Sequence, residues 1–162
     1  MESHAVRYKV TIPVKPTPKG RARVGKNGGT PWTPKQTIVA ENWVRLKVNE
    51  AVGAPRVEGP VAVRAEFIVP VPRSWSRAKR TDALQGRLHP VGRPDLDNYC
   101  KLVCDALNGI AWLDDSAVVT MDLVKRYGSE PGTVLEWWTL PDDGLTHAQG
   151  SAQGGGLAAG LL

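Results

Sequence analysis

At 162 residues, 41% hydrophobic and with 13 prolines and 17 glycines, the chain has the length and composition of one globular domain, long enough to bury a core without disulfide support. Its net charge of +5 favours polyanionic partners, and no run approaches the ~20 apolar residues of a membrane span. Its two cysteines, Cys100 and Cys104, lack nearby histidines, which argues against a zinc site; their four-residue spacing instead suits one buried helix face. With no signal-like apolar run near the start, the expected setting is cytoplasmic and reducing.

The predicted elements run as follows. Residues 6–14 alternate apolar and polar, as a half-buried strand does, and Pro13 places its end or an edge there. Residues 15–34 are rich in Gly, Pro, Lys and Arg and have no period, so they read as a loop. Thr33 as N-cap and Pro34 at the first helical position open a helix that stops near Gly53. Residues 61–69 alternate again, as a second strand, and residues 70–94 form a long polar and basic segment. The next helix runs from about Asp97 to Leu107, with Leu96, Cys100, Val103, Cys104 and Leu107 as its buried stripe and Asn108-Gly109 as its stop. Residues 117–126 and 133–140 read as two strands joined into a hairpin by Gly128-Ser129-Glu130-Pro131-Gly132. The order β-α-β-α-β-β predicts a small α/β (α+β) domain over residues 1–141, with a mixed, partly antiparallel sheet packed on helices. Residues 142–162, rich in Gly and Ala, predict a disordered tail. That tail carries two of the 16 acidic residues and none of the 21 basic ones, so the folded part is more basic than the whole.

The chemistry concentrates in Arg93-Pro94-Asp95-Leu96-Asp97-Asn98-Tyr99-Cys100-Lys101, followed by Ala111-Trp112-Leu113-Asp114-Asp115. Hard divalent cations such as Mg²⁺ take carboxylate oxygens, and converging carboxylates can hold them beside a phosphate. The structural alternative is simple: Asp97 as N-cap, with Asp95 just outside the helix, serves capping alone. Three features weigh against it. Lys101 lies one helical turn after Asp97 and can lean toward it. Asp114-Asp115 supplies a second acidic pair. The basic residues Arg73, Arg77, Lys79, Arg80 and Arg93 lead straight into the acids. The first loop adds Lys15, Lys19, Arg21, Arg23 and Lys26, suited to tracking phosphates as an arm, and Trp32 and Trp75 sit in polar surroundings where they could stack on bases. Trp43, Trp112, Trp137 and Trp138 are expected to pack in the core or at an interface. His4, His89 and His147 lie too far apart in sequence to suggest a histidine-centred site.

Arg-Pro-Asp-Leu-Asp-Asn-x-x-Lys, then Asp-Ala-Leu-Asn-Gly-Ile-Ala-Trp-Leu-Asp-Asp, closely resembles the core motif of the RusA-type endonucleases, Holliday junction resolvases of bacteria, prophages and phages. The early Pro-x-Pro-Lys-Gly-Arg-x-Arg, residues 16–23, is similar to that family's basic loop. The resemblance spans roughly residues 8–140. It implies a small α/β fold, a homodimer and Mg²⁺-dependent cutting of branched DNA, chiefly four-way junctions, with Mn²⁺ as an alternative ion. It places the essential aspartates on Asp95, Asp97 and one of the Asp114-Asp115 pair. Asp115 is preferred from the Trp-x-Asp-Asp ending, with Asp114 as the alternative, and the essential lysine falls on Lys101. Two rival readings stay open: a metal nuclease acting on flaps or forks, and a non-catalytic basic module whose aspartates are caps.

Overall fold

The computed structural model of the chain describes residues 6–24 and 29–141. The expected tail at 142–162 and the expected DNA contact Lys26 lie outside them. The elements are β1 (Arg7–Ile12), α1 (Lys35–Val52), β2 (Val61–Pro70), α2 (Arg77–Leu84), α3 (Leu96–Leu107), a 3₁₀ turn at Asp115–Ala117, β3 (Val118–Gly128) and β4 (Gly132–Thr139). They build the expected α+β domain: three helices and a mixed four-stranded sheet in the order β1-β4-β2-β3. None of the described helices is long and apolar enough to cross a membrane.

The sheet buries one side. Val61, Val63, Ala65 and Phe67 of β2, Leu135 and Trp137 of β4, and Val10 and Ile12 of β1 join Val44 and Val48 of α1 and the apolar stripe of α3 in one core. Cys100 and Cys104 are free and buried within it, as their spacing predicts. Burying such a stripe is what makes α3 a helix in water, since a 12-residue helix is marginal alone. Of the four tryptophans expected to pack, Trp112 and Trp137 are fully buried, whereas Trp43 is 41% exposed on α1. Trp112 donates its indole N–H to Asn108 Oδ1 at 2.9 Å, closing the turn after α3.

The opposite face is charged and paired across strands: Lys9 with Glu136 at 3.1 Å, Arg64 with Asp122 at 3.1 Å, and Arg126 with Glu66. Such cross-strand ion pairs suit a solvated sheet face and add little stability each.

Three expectations are corrected. Residues 128–132 do not close a hairpin. β3 pairs parallel with β2, and β4 pairs antiparallel with β2 and β1, so the connection passes over the end of β2. Close approach demands the glycines there: a Cβ on Gly128 would collide with Ile68 Cγ2, and one on Gly132 would lie 2.9 Å from the Ile12 carbonyl oxygen. The segment at 70–94 contains a helix, α2, whose N-cap Ser76 Oγ accepts from Lys79 N–H at 3.4 Å. Finally, Pro34 rather than Thr33 holds the N-cap position of α1.

Candidate active site

The N-cap of α3 lies two residues earlier than its capping pattern predicts. Asp95, not Asp97, holds the N-cap position, and Asp97 lies in the first turn. Asp95 makes no side-chain cap bond, so its carboxylate is not consumed by closing the helix. Both side chains are exposed at the positive end of the helix.

The second acidic pair divides its labour. Asp114 is the N-cap of the 3₁₀ turn, and its Oδ1 accepts the Ser116 N–H at 3.0 Å. Hydrogen bonding from the Ser116 side chain, and then from its backbone N–H, holds the Asp114 carboxyl below its ordinary range. Asp115 is exposed and has no such duty.

The two stretches meet around α3. Cys100 Sγ and Cys104 Sγ touch at 3.8 Å, and Cys100 also contacts Met121 Sδ of β3 at 3.6 Å. The charge of Asp97 reaches Cys100 and that of Asp115 reaches Cys104. Contact with Cys100, burial and the negative charges of Asp115 and Asp105 push the Cys104 thiol far up, so it stays protonated.

Among the described residues, no three carboxylate, thiol or imidazole side chains form a ready-made metal cage. The donor set nevertheless suits a hard cation: Asp95, Asp97 and Asp115 offer oxygen only, are exposed, and form no ion pair among the described residues. Mg²⁺ typically takes one or two carboxylates and completes its shell with phosphate and water, so a closed cage is not required. Lys101 is exposed and forms no ion pair with Asp97, which leaves its ammonium available.

The basic residues fall into two groups. Lys19, expected on DNA, is instead engaged inside the protein. Its Nζ lies 2.6 Å from Glu41 Oε1 and 2.6 Å from Asp105 Oδ2. Burial lowers its pKa, but the hydrogen bonds and charges of Asp105 and Glu41 outweigh that and raise it. Its backbone N–H also donates to Asn98 O of α3 at 2.9 Å. The next residue, Gly20, donates to Thr37 Oγ1 at 3.1 Å and sits where a Cβ would come within 2.6 Å of that oxygen. The loop is therefore pinned to α1 and α3 at this point.

Beyond the pin, Arg21 and Arg23 are exposed. Arg23 and Trp32 exchange backbone hydrogen bonds at 3.0 Å, and the Arg23 guanidinium lies 5.8 Å from the Trp32 ring centre. Lys15 and Arg93 are exposed beside a cleft that Lys125, Tyr99 and Tyr127 also line. Arg73, Arg77, Lys79 and Arg80 are exposed on and before α2, with Lys79 Nζ 4.1 Å from the centre of the Trp75 ring. Trp75 in turn packs edge-on against Tyr127, so it is a strut for α2 rather than a free stacking surface.

Sequence reasoning missed Lys125, whose Nζ donates to the carbonyls of Gly92 and Pro94, both at 2.9 Å. A signal existed: β3 alternates, and Lys125 falls in phase with Leu123 and Tyr127, where an unpaired ammonium would be costly.

Comparison with known proteins agrees with this architecture. The relative described as "Uncharacterized protein YqaN" of Bacillus subtilis (strain 168) is 34% identical over 127 residues, covering 76% of this chain and 89% of its own length. The family model described as "Endodeoxyribonuclease RusA" matches residues 13–136, which include β2, all three helices, β3 and the whole acidic motif. The chain belongs to the RusA endodeoxyribonuclease family, a family of DNA hydrolases.

Proposed function

We propose that this protein is a divalent-metal-dependent nuclease that resolves four-way DNA junctions by paired nicks, in recombination and repair. The observation that carries the reading is the state of three aspartates. Asp95, Asp97 and Asp115 are exposed and free of ion pairs among the described residues, and Asp95 makes no side-chain cap bond although it holds the N-cap position of α3. Residues that served only as caps would resemble Asp114, whose oxygen is committed to Ser116.

In this reading Asp95, Asp97 and Asp115 hold Mg²⁺ or Mn²⁺. When bound, such an ion lowers the pKa of a water and neutralises charge growing on the phosphate oxygens. Lys101 presents a compact ammonium one helical turn from Asp97, suited to a non-bridging phosphate oxygen. Arg21, Arg23 and Lys15 approach from the arm, and Arg73, Arg77, Lys79, Arg80 and Arg93 from the α2 side. They hold the phosphate backbone and carry little sequence information by themselves. Lys19 is left out of this set because its charge is already compensated. A homodimer would place two such sites about a twofold axis, matching the symmetry of a junction.

The test uses a labelled four-way junction with and without Mg²⁺, alongside flaps and forks, for the wild type and Asp97→Asn. The expected result is symmetric, Mg²⁺-dependent nicks in the junction, lost in the variant. Faster cutting of flaps or forks would move the substrate assignment. Tight binding with no product under any divalent metal would sink the catalytic reading.

A further inference from the structure

Lys125 lies on β3 opposite Phe67 of β2, on the helix-covered side of the sheet. Phe67 stacks on Tyr99 of α3 at 5.3 Å between ring centres, so the root of the lysine is held where the strand meets the start of that helix. From there its ammonium donates to the carbonyls of Gly92 and Pro94. These carbonyls belong to the irregular stretch that delivers the chain to Asp95. Among the described residues, the stretch 88–94 is tied by one backbone bond outside helices and strands, from Val91 N–H to His89 O. Pro94 has no N–H to contribute. Apart from the packing of Pro90, which is buried, and the half-buried Pro94, this ammonium supplies the hydrogen bonds that tie the residues just before Asp95 to the sheet.

The connection has a second end. β3 is the strand that follows the turn bearing Asp115. One ammonium thus joins the strand downstream of Asp115 to the backbone immediately upstream of Asp95. An ammonium has three donors and can hold two carbonyls at once, whereas an apolar side chain of similar length can hold neither.

We propose that Lys125 is a positioning residue: its ammonium clamps the backbone before Asp95 in register with the strand that follows Asp115, and the divalent-metal affinity of the site depends on that clamp. The inference rests on the metal-nuclease reading above. Lys125 acts through Asp95 and does not itself touch the ion or the scissile phosphate.

The experiment compares wild type with Lys125→Met and Lys125→Arg. Mn²⁺ binding to the protein alone is measured by calorimetry, junction affinity in Ca²⁺, and single-turnover cutting across a Mg²⁺ titration. Loss of groups that orient metal ligands typically weakens metal affinity 10–100-fold. Lys125→Met is therefore expected to weaken Mn²⁺ binding by about tenfold or more and to raise the half-saturating Mg²⁺ by a similar factor, with junction affinity within about threefold of wild type. Lys125→Arg, which keeps donors for both carbonyls, should recover most of the loss, which a simple packing role would not predict. Wild-type Mn²⁺ affinity in a folded Lys125→Met protein would overturn the proposal. So would a loss of junction affinity as large as the loss of rate, which would make Lys125 a phosphate contact. A wild type that binds Mn²⁺ but cuts no DNA would defeat the nuclease reading alone, and calorimetry would still decide the role of Lys125. A wild type that binds no Mn²⁺ would defeat both.

Discussion

The ammonium of Lys19 and the carboxylate of Asp105 meet at 2.6 Å, joining the basic arm to the helix that carries Asp97 and Lys101. Glu41 of α1 completes the triad at 2.6 Å, and its other oxygen lies 3.6 Å from Arg45. The basic arm is thereby anchored on the helix that carries Asp97 and Lys101.

Lys19→Met leaves Glu41 and Asp105 facing each other without their shared cation. The triad is partly buried, so the cost at neutral pH falls between exposed and buried pairs, about 2 kcal/mol. Because the folded-state pKa of Lys19 is raised, its contribution is fully present below the ordinary value of 10.5 and fades as pH rises through the higher folded value. Denaturant melts of both proteins should show a stability gap that is constant near pH 7–9 and closes above pH 10.5. A gap independent of pH up to complete Lys19 deprotonation would exclude the ion triad as its source.

The aspartate pair separates by duty. Asp115→Asn should lower the single-turnover cutting rate by about 10²–10³-fold, the scale on which catalytic groups at a developing charge act. Asp114→Asn keeps an oxygen that can accept from Ser116 N–H and should retain cutting within a few-fold. Rates for the two variants on the same junction check this; the reverse order would exchange their assignments.

Asp97→Asn is expected to lose cutting by a similar factor while binding the junction in Ca²⁺ with near wild-type affinity, because phosphate contacts come mainly from the basic groups. Equal loss in binding and rate would instead place Asp97 in a structural role.

Arg21→Ala combined with Arg23→Ala should weaken binding to all branched DNAs alike. If both side chains contact phosphates, the slope of log affinity against log salt should flatten by about two units at most. An unchanged slope would remove the arm from the DNA interface.

Gly132→Ala drives a Cβ to 2.9 Å from the Ile12 carbonyl, a backbone atom that cannot step aside without disturbing the β1–β4 pair. A loss of about 2 kcal/mol is expected in urea unfolding. A neutral result would mean that the β2-crossing connection is looser than its geometry implies.

Much of the fold was legible because local burial writes a period into the chain. The alternation of β1 and β2 and the stripe Cys100, Val103, Cys104, Leu107 each bury one face, and each element formed where that pattern placed it. The segment Arg77–Leu84 has no such stripe, with only Ala83 buried, and so read as loop; its helix is held by Ser76 and by Trp75 packed on Tyr127. Residues 128–132 are good hairpin residues by local chemistry. They became a crossing because β2 pairs on both edges, which no local pattern records.

By itself the sequence determined the acidic and basic chemistry, the motif from Arg93 to Asp115 and the helix that displays it, because residue type and short-range spacing suffice for these. Only the tertiary structure decided which charges are free. Lys19 is committed to Glu41 and Asp105, and Lys125 to two carbonyls before Asp95. The physical reason is that, beyond local caps, a charge is spent by a partner that folding brings near, and that partner's distance along the chain has no trace in local sequence.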